Sequence, residues 1–123
     1  MILADTSIWI DHLRKTSAQL LALLGARELL MHPFVIGELA LGSLQDRNNL
    51  LIELDLLPQM SVIANKKLIL FVSKHRLYGS GINYVDAHLL VAACGAKNVQ
   101  LWTRDKRLLA ASTRLGVAAN IQN

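Results

Sequence analysis

The sequence predicts an α/β fold with a parallel sheet covered by helices on both faces. Three observations carry that expectation. Short apolar runs recur from end to end, each followed within a few residues by a helix-starting group, the alternation that builds βαβ units. The first run, Met1-Ile2-Leu3-Ala4, carries no polar residue before Asp5, as in strands buried on both sides. With 123 residues and no repeat, linker or low-complexity tract, the chain is expected to form a single domain over 1–123 around one core.

Asp5 ends the first strand. Thr6 or Ser7 is placed to cap the helix that follows, through about Leu13, with Ile8, Trp9 and His12 or Leu13 at helical spacing. Lys15-Thr16-Ser17 reads as a turn in which Ser17 caps a second helix, whose stripe of Leu20, Leu21, Leu23 and Leu24 ends near Gly25. Glu28-Leu29-Leu30-Met31 is expected as a second strand. Pro33 suits the first turn of the next helix, where its missing N–H is not needed, and that helix ends near Gly42. Asp46 opens another, with Leu50, Leu51, Leu54 and Leu57, stopped by Pro58. Met60-Ser61-Val62 reads as a short edge strand or a connector. Asn65 is expected to cap a helix to about Leu77, closed by Gly79-Ser80-Gly81, and Asn83 to cap one running to Gly95. Val99 to Thr103 has strand composition. Asp105 through Leu115 is helical, and Val117-Ala118-Ala119 is expected as a last strand.

Composition narrows the function. Hydrophobic residues make up 53% of the chain and the mean hydropathy is +0.36, which is apolar for a soluble monomer and points to a partner chain. The net charge of +4 favours an anionic ligand. Aromatics are only 5%, too few for a module that grips single strands by base stacking. Cys94 is the one cysteine, so neither an internal disulfide nor a cysteine-rich metal site can form. The apolar stretches Leu20 to Ala26 and Ala87 to Ala96 fall short of the roughly 20 residues of a membrane span. No charged leader precedes the opening run, so a cytoplasmic protein is expected.

Four acids stand in apolar company. Asp5 closes the first strand; Glu38 is the one charged residue between Pro33 and Gln45; Asp86 lies in the first turn of the helix opened by Asn83; Asp105 follows the strand ending in Trp102-Thr103-Arg104. Each has a structural alternative: Asp5 and Asp105 as helix caps, Asp86 at a position the helix dipole favours. Glu38, in mid-helix, gains nothing from the dipole. An unpaired buried carboxylate costs several kcal/mol, so four together call for a shared cation. Hard ions such as Mg²⁺ take oxygen ligands, keep several waters and use one or two direct carboxylates. The absence of a Cys or His cluster disfavours zinc.

These segments resemble the PIN domain, specifically the VapC-type toxin ribonucleases of bacterial type II toxin–antitoxin pairs. Asp5-Thr6-Ser7-Ile8-Trp9-Ile10, Gly37-Glu38-Leu39 with Gly42, Tyr84-Val85-Asp86-Ala87 and Thr103-Arg104-Asp105 are similar to the successive motifs of that family and occur in its order. The resemblance implies a Rossmann-like three-layer α/β/α sandwich and a Mg²⁺- or Mn²⁺-dependent endoribonuclease site. It implies that Asp5 and Asp86 touch the metal, that Glu38 and Asp105 complete the acidic pocket, and that Ser7 and Thr103 support the carboxylates or a water. A homodimer and a VapB-like antitoxin follow from it as partners. Two positions depart from the pattern. His32-Pro33 stands where the family often starts the Glu-bearing helix with Ser or Thr, and Arg107 stands where many relatives carry a further acid.

The chemistry expected of such a site is in-line attack of a metal-activated water on a phosphodiester, leaving a 5′-phosphate and a 3′-hydroxyl. Arg104, Lys106 and Arg107 flank Asp105 as candidate RNA contacts, with Arg14-Lys15, Lys66-Lys67 and Lys74-His75-Arg76 as further basic clusters. His12, His32, His75 and His88 are unpaired in sequence and are assigned surface or capping roles. Two other functions share parts of this pattern. A Mg²⁺-dependent phosphatase also places an Asp after its first strand, but it commonly needs a second acid where this chain has Ser7. A catalytically silent binding module would have no reason to keep four acids.

Overall fold

The apolar run at the start of the chain becomes the central strand. In the computed structural model, which describes residues 1–121, β1 (Ile2–Ala4) pairs in parallel with β2 (Leu29–Leu30) and β3 (Gln100–Trp102), in the order β2-β1-β3. Leu3 lies opposite Leu30 on one side and Leu101 on the other. Successive strand side chains face opposite sides of a sheet. Ile2, Leu3 and Ala4 are all buried, so both faces of β1 are covered, as the α/β sandwich requires.

The regular sheet is narrower than the sequence implies. Val117-Ala118-Ala119 forms one parallel bridge to Leu101 rather than a strand, and Met60-Ser61-Val62 is a connector, the bridge to Met31 being made one residue earlier by Gln59. Pro58 has no N–H with which to extend a ladder, and Gly116, at φ +77, turns the chain just before Val117.

Seven helices join these strands among the described residues: α1 (Thr6–Arg14), α2 (Ala18–Gly25), α3 (Pro33–Ala40), α4 (Arg47–Asp55), α5 (Asn65–Lys74), α6 (Tyr84–Cys94) and α7 (Lys106–Arg114). None is long and apolar enough to cross a membrane. Ser17 caps α2 by accepting the Leu20 N–H at 3.2 Å. Three expected caps differ. Asp5 itself, rather than Thr6 or Ser7, caps α1. Ala64 stands at the N-cap of α5, and Asn65 instead accepts the Tyr84 hydroxyl at 2.8 Å, tying α5 to α6. Asp46 precedes α4 with left-handed backbone and no side-chain bond to the helix. The core gathers Leu3, Ile8, Leu20, Met31, Val35, Leu89, Leu90, Leu101, Trp102 and Leu108. Four consecutive residues of α6, Ala87 to Leu90, are buried, which marks it as an interior helix rather than an amphipathic cover.

The histidines depart furthest from expectation. His32 and His88 are buried, not exposed, and join Phe34 and Tyr84 in a ring cluster between α3 and α6, with Phe34 4.6 Å and Tyr84 4.6 Å from His88. His32 does cap: its Nδ1 accepts the Phe34 N–H at 3.0 Å. Its Nε2 and both nitrogens of His88 have no hydrogen-bond partner among the described residues. Burial pushes both imidazoles below the usual value of 6.5, and burial together with neighbouring His88 takes His32 to about 4. Both are therefore neutral in the folded state at pH 7. Unfolding exposes them to protons below pH 6.5, so stability is lost as pH falls below that value, for His32 down to about pH 4. Replacing His88 by Leu removes two unpaired buried nitrogens. We expect a gain of about 1 kcal/mol in urea unfolding at pH 7 and a larger gain at pH 5; a destabilised variant at both pH values would contradict the cluster's assignment as a polar liability.

Candidate functional site

β1 delivers Asp5 at its carboxyl end, the side on which open α/β sheets bind ligands. Its N–H continues the pairing with β3, donating to the Trp102 carbonyl at 2.9 Å. Its side chain then meets three donors. Oδ1 accepts the Ile8 N–H at 3.1 Å and the Ser7 hydroxyl at 2.5 Å, while Oδ2 accepts the hydroxyl of Thr103. Asp5 is thus the helix cap of α1 and a tie to the end of β3 at once. It is only 3% exposed. Burial drives its carboxyl above the ordinary value, and the bonds from Ser7, Thr103 and Ile8 offset that only in part.

Asp86 comes from α6, where it forms a capping box with Asn83. The Asp86 N–H donates to Asn83 Oδ1 at 2.8 Å and the Asn83 N–H donates to Asp86 Oδ2 at 3.3 Å. A capping carboxylate is normally favoured as the anion, yet this one is raised to about 6. Burial is the main cause, and the negative charges of Asp5, Asp105 and Glu38 add to it. Those three acids therefore lie within electrostatic reach of Asp86, although strand, helix and loop separate them in sequence.

Glu38 sits on α3, partly buried, and accepts the Thr6 hydroxyl at 2.5 Å, linking α3 to the first turn of α1. The ring cluster of His32, Phe34, Tyr84 and His88 joins the starts of α3 and α6, the helices that carry Glu38 and Asp86. Asp105 is exposed rather than enclosed by apolar side chains, and it caps α7: Oδ1 accepts the N–H groups of Arg107 at 3.0 Å and Leu108 at 2.9 Å. Its own N–H donates to Thr103 Oγ1 at 3.0 Å. One threonine hydroxyl therefore holds Asp5 and the backbone of Asp105 together.

The basic residues take three different positions. Arg104 pairs with Asp11 at 2.5 Å, and its N–H reaches Ser7 Oγ at 3.3 Å. Lys106 is exposed. Arg107 lies across Gly81, where an added Cβ would come within 2.6 Å of its Cδ, so the glycine is what admits the side chain. Sequence reading singled out neither Thr6 as a partner of Glu38 nor Asp11 as a partner of Arg104. Both contacts join residues far apart in the chain, 32 and 93 positions respectively, and no local pattern encodes them.

The Arg104–Asp11 pair is the one salt bridge among the described residues, so Asp5, Glu38, Asp86 and Asp105 have no cationic side chain to balance them. Nor do any three His, Cys, Asp or Glu side chains there stand close enough to enclose an ion by themselves. A hard, hydrated divalent cation needs only one or two direct carboxylates, with further acids bonded to its waters, so acids without a cationic partner fit such an ion.

A family model described as the PIN domain matches residues 2–113. Two curated relatives, both described as Ribonuclease VapC32, come from Mycobacterium tuberculosis strains CDC 1551 / Oshkosh and ATCC 25618 / H37Rv. Each is 48% identical over 118 residues, 96% of this chain and 95% of the relative. The match spans the parallel sheet and runs from α1 into α7, and the chain belongs to the PIN-domain family, in its VapC branch.

Proposed function

We propose that the chain is a metal-dependent endoribonuclease, the toxin of a toxin–antitoxin pair, which hydrolyses RNA to leave 5′-phosphate and 3′-hydroxyl ends. The observation that carries the reading is Asp86, raised to about 6 by burial and by three further acids with no cationic partner. Mutual repulsion among these acids disfavours the fully ionised cluster, and a bound cation would relieve it. The ribonuclease name of relatives 48% identical supports RNA as the substrate.

Asp5 and Asp86 are the proposed direct ligands of Mg²⁺, or of Mn²⁺ in its place, with Glu38 and Asp105 holding waters around it. When bound, the ion supplies an acidified water and charge stabilisation on the phosphoryl oxygens. The side chains do the rest. Ser7 and Thr103 fix both oxygens of Asp5, so its free lone pairs keep one direction. Thr6 does the same for one oxygen of Glu38. Arg104, Lys106 and Arg107, at three separate positions, are the proposed contacts to the RNA backbone. A phosphatase reading has less support, because the position of its second acid holds Ser7, whose hydroxyl is engaged by Asp5.

A VapB-like antitoxin and a second copy of the chain are the proposed protein partners, in the cytoplasm. Leu41 at 90%, Leu56 at 79% and Leu70 at 70% exposure give apolar surface that a partner would cover.

Replacing Asp86 by Asn should abolish Mg²⁺-dependent RNA cleavage with a native circular dichroism spectrum; undiminished cleavage would refute the site. The same variant carries a stability signature. The folded carboxyl titrates near 6 and the unfolded one near 3.8, so the folded state holds its proton more tightly and the parent loses stability as pH rises through that window. In EDTA at pH 7.5 the Asn variant should therefore be the more stable, by about 1 kcal/mol once solvent screening is allowed for, with the gain vanishing near pH 4.

Replacing Thr103 by Val removes a bond to the charged form of Asp5. It should cost about 1.5–3 kcal/mol in urea unfolding, more at pH 8 than at pH 4, with Ser restoring most of the loss. An equal cost at both pH values would show that the bond to charged Asp5 contributes nothing, leaving packing and the Asp105 N–H bond.

A further inference from the structure

We propose that the cleft between the end of α1, the turn into α2 and Arg104 binds a backbone phosphate of the RNA away from the scissile bond. The inference rests on the ribonuclease reading and extends it to how the strand is held. The cleft has a volume of about 420 Å³ and is lined by Asp11, Arg14, Lys15, Thr16, Ser17 and Arg104, among others. Three cations face one carboxylate there, and the rest of the named lining is hydroxyl-bearing.

The single acid has a defined task. Asp11 accepts one bond from the Arg104 guanidinium at 2.5 Å, and an arginine has five N–H donors. One bond to Asp11 therefore holds the planar group while leaving most of its donors for a phosphate, which matches the bidentate preference of arginine. Ser17 starts α2 at the same place, and a helix N-terminus adds partial positive charge to that of the three side chains.

Position connects the cleft to the acids. The Arg104 N–H donates to Ser7 Oγ at 3.3 Å, and that hydroxyl donates to Asp5 Oδ1 at 2.5 Å. Arg104 lines the cleft and is bonded through its backbone to the group that holds Asp5, which sets the cleft beside the proposed site of cleavage. None of the lining residues is aromatic or large and apolar. Such walls take phosphate and sugar rather than bases, which gives affinity and register without reading sequence. The acidic pocket repels RNA, and the cleft supplies the attraction beside it.

The test uses the full chain carrying Asp86→Asn, which keeps the RNA intact in Mg²⁺, and a short fluorescein-labelled single-stranded RNA. Binding is followed by anisotropy across a salt series. Adding Arg14→Ala, or separately Arg104→Ala, should weaken binding about 3- to 10-fold at low salt and flatten the slope of log K against log salt by about 0.7. Lys97→Ala is the charge control: it lies next to Asn98, whose carbonyl receives the Met1 amino group at the opposite end of the sheet, and it should change neither. Unchanged affinity and slope in the two arginine variants would overturn the proposal. So would RNA binding at the parent level combined with lost capture of an antitoxin, since the cleft would then serve a protein. Cleavage by the parent chain is measured separately and tests the ribonuclease reading alone.

Discussion

The carboxylate of Asp5 is the interaction on which the rest of the structure depends. It is buried at the end of the central strand, yet it caps α1 through Ile8 and binds Thr103 at the end of β3, 98 residues away. An ionised group so enclosed is tolerated only when its oxygens are satisfied. Here Ser7, Ile8 and Thr103 satisfy them. The same bonds fix where the first helix leaves the sheet and where β3 ends. Asp105 inherits its place from that arrangement, because Thr103 also accepts the Asp105 N–H. A structural device and the proposed ligand are thus one group, and the choice between cap and site residue for Asp5 is not a choice.

Much of this was legible in the sequence because its causes are local. A strand ending in Asp5, Ser17 as a cap, Pro33 at a first turn and Asn83 with Asp86 in a capping box are all set by residues within four positions of one another. Asp86 also shows where local reading stops. Its capping box is readable from spacing, but its raised carboxyl arises from burial and from three acids on other elements. The buried histidines escaped for a similar reason. His88 has apolar neighbours on α6, but only the packing of Phe34 and Tyr84 around it decides that it is interior. The marginal strands at Gln59 and Ala118 are set by what stands beside them, Pro58 and the turn at Gly116, more than by their own composition.

Charge is distributed so that opposite demands sit side by side. Acids converge near the end of β1 without compensation, while Arg104 is drawn off by Asp11 to a cleft on the other side of Ser7. Had Arg104 instead paired with Asp5 or Asp86, it would have offset part of the pocket's negative charge. Arg107, occupying a position where many of the family carry an acid, is taken up by the space that Gly81 leaves. The apolar surplus evident in composition appears as exposed leucines on the rims of α3 and α4 and along α5, the kind of surface that the proposed partners would cover.

The central claim is that these acids form a cation site in which Asp86 loses its proton to solvent when the ion binds. The most direct measurement is calorimetric titration with Mn²⁺ at pH 6 and pH 8, each in two buffers of different ionisation enthalpy, which together give the number of protons released on binding. With Asp86 raised to about 6 and Asp5 raised as well, binding should release more protons at pH 6 than at pH 8, and the pH 6 release should fall in Asp86→Asn. Saturable binding with no proton release at pH 6, or no binding at either pH, would contradict the account.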